Sequence, residues 1–77
     1  MRVSVSEMSH GHSGDHDFHV HKEGCRDIPK RPLAYQSWLV EVETNIENDV
    51  LADLNLDAID MGWEWKKGHI KFFNCAK

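Results

Sequence analysis

Residues 36–55, QSWLVEVETNIENDVLADLN, change their apolar period partway along. From Gln36 to Glu43 the period is two. Trp38, Val40 and Val42 share one face, and Leu39, Glu41 and Glu43 share the other. Aromatic and β-branched residues in that pattern suit a half-buried strand. Thr44-Asn-Ile-Glu47 then fits a capping box, with Thr44 accepting from a backbone N–H and Glu47 reaching back. Glu47 and Asp49 suit the positive start of a helix. Ile46, Val50, Leu51 and Leu54 fall within an arc of about 140° at 100° per residue, which is one apolar stripe. Asn55 reads as the stop. A helix this short needs a sheet to pack on.

Working outward, residues 59–66 alternate again. Ile59, Met61, Trp63 and Trp65 oppose Asp60, Gly62, Glu64 and Lys66. Lys66-Lys67-Gly68 reads as a turn with Gly68 at positive φ, and His69 to Cys75 as the return strand. The pattern predicts a hairpin with Glu64 opposite Lys71. On the N-terminal side, Asp17 to Lys22 (DFHVHK) predicts a strand with Phe18 and Val20 on one face and His19 and His21 on the other. Pro29 and Pro32 make residues 25–35 a loop. The order is strand, strand, helix, strand, strand. It predicts an α+β fold: a small antiparallel sheet (β-β-α-β-β) with one helix packed on one face. The domain is expected to cover residues 17–77. Residues 1–16 read as a flexible His/Gly/Ser-rich segment, although Val3 and Val5 alternate with serines as a weak strand signal.

The chain has 77 residues, 40% hydrophobic and 29% charged, which allows one small domain. Such folds usually need a staple: a disulfide, a metal or a partner subunit. Ser4, Ser6, Glu7 and Ser9 interrupt any signal-peptide core near the start, and no long apolar run suggests a membrane span. The expected location is the cytoplasm, where structural disulfides are rare. Net charge is −4, and residues 41–64 hold eight acids and no Lys or Arg. Such a middle repels phosphates, so direct nucleic-acid binding is not expected. It reads as a solvated face, with an acidic nucleic-acid mimic as the sharper alternative. No nucleophile elbow, phosphate loop, dinucleotide fingerprint or zincin motif occurs, so no enzymatic activity is expected.

The six histidines and two cysteines are where chemistry could sit. His19 and His21 point the same way from one strand, roughly 7 Å apart at the backbone. Cys25 follows after Gly24, and Cys75 ends the last expected strand. His19, His21, Cys25 and Cys75 together would offer two nitrogens and two sulfurs, a set suited to tetrahedral zinc. The spacing lacks a paired CxxC or HxxxH. Two other readings stay open: exposed histidines with buried thiols, and a Cys25–Cys75 disulfide. His10, His12 and His16 could hold a metal loosely or simply be solvated.

Trp38 is expected in the core. Trp63 and Trp65 suit either the core or a binding patch, because Trp is favoured at interaction hot spots. A two-layer fold leaves its second sheet face open, and Leu39 and Phe73 would lie there. The run FHVHKEGCRDIPK, then QSWLVEVE, then GHIKFFNC resembles a group of small uncharacterised proteins of actinobacterial phages. The matching positions are His19, Val20, His21, Gly24, Cys25, Asp27, Trp38, Phe73 and Cys75, within residues 18–75. The resemblance implies an accessory protein acting inside a bacterial host, with no mechanism attached. The functional expectation is a non-enzymatic protein that binds a host or phage protein through Trp63, Trp65, Phe73 and Leu39, or pairs as a homodimer. A zinc-stapled domain is the alternative.

Overall fold

Val3 and Val5, near the start of the chain, have no exposed surface at all. They belong to strand β1 (Arg2–Met8), which corrects the expectation that residues 1–16 stay outside the domain. The computed structural model describes residues 1–8, 16–30 and 33–76. The rest of the expected flexible segment, residues 9–15 with His10 and His12, lies outside the described residues. After β1 come β2 (Phe18–Lys22), β3 (Ala34–Glu41), the helix α1 (Ile46–Ala58) and β4 (Ile70–Phe72). The four strands form one sheet in the order β3-β1-β2-β4, so β1 and β2 are the two inner strands. Strand β1 is the one between β2 and β3. It pairs antiparallel with β2 through Val5–Val20 and with β3 through Val5–Trp38.

The serines of β1 explain why its role is hidden in the pattern. Alternating serines normally mark a solvated face. Here Ser4 lies between His21 and Leu39, and Ser6 between His19 and Ser37. Both serines are buried between these neighbours. The Ser6 and Ser37 hydroxyls bond to each other at 2.8 Å, which gives the buried Ser6 hydroxyl the partner it needs.

The fold class is α+β as expected, but the sheet is mixed. β4 runs parallel to β2, pairing Phe18 with Ile70 and Val20 with Phe72. The expected hairpin over residues 59–75 does not form. Residues Ile59–Met61 instead continue α1 as a 3-10 turn. Gly62, at φ 74°, ends that turn, and the Trp63 N–H reaches back to the Ala58 carbonyl at 2.9 Å. Positive φ therefore falls at Gly62 and Gly24 rather than at Gly68. Asn55 does not stop the helix because its side chain is used elsewhere. Its Oδ1 accepts from the Trp65 N–H at 2.7 Å, and its Nδ2 donates to the Trp65 carbonyl at 3.2 Å. Glu64 pairs with Lys66 at 3.4 Å rather than with Lys71.

The parallel pairing follows from the connection. A hairpin loop returns the chain antiparallel, whereas a helix crossing a sheet face returns it parallel. The 13 residues of α1 span about 20 Å, enough to carry the chain past three strand spacings of about 4.8 Å each. Capping also shifts by one residue. Asn45, not Thr44, caps α1, with its Oδ1 accepting from the Asn48 N–H at 3.0 Å. Thr44 and Glu43 instead donate backbone N–H groups to Asp49, which hold its carboxyl below the usual range.

The core lies between sheet and helix. Val3, Val5, Phe18, Val20, Val40 and Ile70 meet Val50 and Leu54, with Ala76 closing one end. Trp38 and Trp65 pack against this cluster, each edge-on to the Phe18 ring at 6.4 and 4.7 Å. Ile59 and Met61, expected to share one strand face with Trp63 and Trp65, are 69% and 77% exposed. Among the described residues, no helix is long and apolar enough to cross a membrane.

Candidate metal centre

The other sheet face carries His19 and His21. Alternation along β2 fixes this: Phe18 and Val20 enter the core, so the two imidazoles point away from it. Three segments then converge at the C-terminal end of β2. Gly24 turns the chain, and the Cys25 N–H closes onto the Lys22 carbonyl at 3.0 Å. β4 lies alongside β2, and its continuation into a 3-10 turn (Asn74–Ala76) delivers Cys75. The Cys75 sulfur accepts from the Lys22 N–H at 3.4 Å and lies 3.5 Å from His21 Nδ1. His21, Cys25 and Cys75 each place a ligand atom within 4.8 Å of the other two.

His19 does not join them, which corrects the four-residue set to three. It sits two residues back along β2, opposite Lys71. Its ring tilts on Phe73 at 5.0 Å, while His21 tilts on the same ring at 4.1 Å. The cysteines gather beyond His21, at the strand end, so strand rise keeps His19 one step away. Asp27, which matched the resemblance but was assigned no role there, emerges beside the centre. It lines an open cleft of about 550 Å³ with His19, His21, Lys71, Phe73 and Cys75. The two thiols are unbonded.

Electrostatics favour the metal-binding form of His21. The residue is 2% exposed, and burial lowers its pKa, with Asp27 opposing more weakly. His21 is therefore neutral near pH 7, as a ligand must be. Asp27's N–H favours the Cys25 thiolate, but the hydrogen bond to Cys75, burial and the neighbouring sulfur push the thiol above its ordinary value. Two crowded sulfurs resist a second negative charge. The Nε2 atoms of His19 and His21 are buried with no hydrogen-bond partner among the described residues.

These histidines predict a pH dependence for the metal-free chain. His19 is also lowered, by burial first and then by His21, His16 and Lys71. Below the ordinary value of 6.5 the unfolded chain takes up protons that the folded chain refuses. Stability is therefore complete above pH 6.5 and falls as the pH drops from there toward the lowered folded values. Urea midpoints at pH 7.5 and 5.5 measure this. His19→Gln should flatten the difference, and equal midpoints for the parent chain would contradict the assignment.

Of the residues expected to bind a partner, Trp65 and Trp63 stay together, edge-on at 5.7 Å. Trp65 packs on the core, and Trp63 is 52% exposed. Phe73 lies on the opposite sheet face against the histidines, and Leu39 is 48% exposed on edge strand β3. The four do not form one patch. Compared with protein-family models, with curated proteins and with solved structures, the chain matches none.

Proposed function

We propose that the protein is a small zinc-stapled domain, with His21, Cys25 and Cys75 as three ligands of one structural Zn²⁺. The observation that carries this reading is the convergence of one imidazole and two sulfurs within 4.8 Å from three separate segments. One nitrogen and two sulfurs form a soft set that suits zinc and not magnesium or calcium. The Asp27 carboxylate or a water would complete the four positions zinc prefers. Bound there, the metal would tie β2 to the turn after it and to the end of the chain. It would also supply the positive charge that the two thiols need to ionise together.

Native mass spectrometry tests the reading. Protein purified under reducing conditions and supplied with zinc should carry one zinc per chain, and Cys75→Ser should carry none. Cobalt in place of zinc should give the thiolate charge-transfer absorption of a sulfur-ligated site. A fully folded, metal-free mass in the presence of zinc would exclude the site. A mass lower by two hydrogens, with no titratable thiol, would establish a Cys25–Cys75 disulfide instead.

A further inference from the structure

On the helix side of the sheet, away from the cysteines, the ends of β1 and β3 stand open beside the last turns of α1. They enclose a groove of about 490 Å³. Trp38, Leu54, Met61 and Trp65 form its apolar walls, and Glu7, Asp53 and Asp57 its charged ones. Asp53 spends one oxygen on Trp38 Nε1, at 3.0 Å, and Glu7 spends one on Gln36 Nε2, at 3.1 Å. Among the described residues, no lysine or arginine pairs with Glu7, Asp53 or Asp57; Lys66 and Lys67 are bound to Glu64 and Glu47.

The helix end adds an independent observation. A helix C-terminus carries partial negative charge and is normally matched by lysine or arginine. The last turn of α1 has no basic residue, and the 3-10 turn that extends it has none either. Asp57 and Asp60 stand there instead. Around them Leu56, Ile59, Met61 and Trp63 are 52–77% exposed. Apolar side chains left in water, beside an uncompensated negative helix end, match a partner that brings both apolar surface and positive charge.

We propose that this groove docks a basic amphipathic segment of a partner protein. Its apolar side chains enter between Trp38, Trp65 and Met61, and its lysines or arginines reach Asp53, Asp57 and Glu7. The acids argue against a nucleic acid or an anionic membrane, since both present phosphates. The proposal does not depend on zinc, because the groove and the cysteine centre lie on opposite faces of the sheet.

The test uses the full chain and a short synthetic helical peptide with leucines on one face and lysines on the other. Amide shifts and tryptophan fluorescence should respond saturably, with shifts confined to residues around Trp38, Asp57 and Met61. Added salt should weaken binding. Asp57→Asn should weaken it about two- to fivefold, as a partly exposed ion pair does. The double variant Asp57→Lys, Met61→Lys should weaken it about tenfold or more, because it removes the pairing charge and sets like charges against the peptide. Both positions are exposed, so the variants should fold, and circular dichroism checks that they do. The result should be the same with and without zinc. Absence of binding, equal binding by the double variant, or equal binding of an acidic peptide of the same pattern would overturn the proposal. Concentration-dependent self-association that the double variant abolishes would also overturn it, by making a second copy of this chain the occupant.

Discussion

Zinc should raise the melting temperature of the reduced protein by about 10–20 °C. A ligand at one hundred times its dissociation constant stabilises the folded state by about 2.7 kcal/mol. A domain of this size gains about 4–8 °C per kcal/mol. The chelated protein should melt at the lower temperature, and added zinc should restore the higher one. Cys75→Ser is the cleanest control. Cys75 is exposed, so the substitution removes a ligand without opening the core, and the zinc response should vanish while the metal-free melt stays nearly unchanged. His21→Ala should lose the response too, but at a cost of its own. The imidazole is buried and packs on Phe73 at 4.1 Å, so the metal-free melt should fall as well. Calorimetry with and without chelator reads all three. An unchanged melt on zinc addition to the reduced parent chain, or the same response in Cys75→Ser, would rule out the staple.

Val5→Asp should unfold the chain. Val5 has no exposed surface and lies between Val20 and Trp38 at the middle of an inner strand. A carboxylate there has nothing to pair with, and a buried unpaired charge is among the few changes that exceed 4–5 kcal/mol. At about 0.05–0.15 kcal/mol per residue, the whole domain has only about 4–12 kcal/mol to lose. Removing residues 1–8 should be at least as damaging, because among the described residues β3 pairs with the rest of the sheet only through β1. Amide dispersion in proton NMR distinguishes the outcomes. A dispersed spectrum and a cooperative melt for Val5→Asp would mean that β1 is not an inner strand. Arg2→Ala is the matched control, since Arg2 is exposed and its 3.5 Å pair with Glu23 lies in solvent.

The candidate centre was legible only in part. His21, Cys25 and Cys75 stood out as ligand types, and alternation put His21 off the core face. Which of the two histidines belongs was not readable, since His19 and His21 share that face. The choice depends on where β4 ends beside β2. The groove was less visible still. Trp65 and Met61 suggested a strand face, and nothing local showed that Gly62 would end a helical turn between them.

Local chemistry alone determined the α+β class, the presence of strands β2 and β3, and the apolar stripe of α1; the bounds of β3 shifted two residues toward the start, to Ala34–Glu41. These follow from period and residue type within one short window. The tertiary structure decided three things: the inner place of β1 in the sheet, the parallel pairing of β4, and the meeting of His21 with both cysteines. The physical reason is the same in each case. Ser4 and Ser6 are tolerated inside because neighbours across two strands cover them and Ser37 bonds to Ser6. β4 runs parallel because a helix carries the chain across the sheet, and Cys75 reaches His21 because β4 lies along β2. Each depends on partners more than a dozen residues away, which no local period encodes.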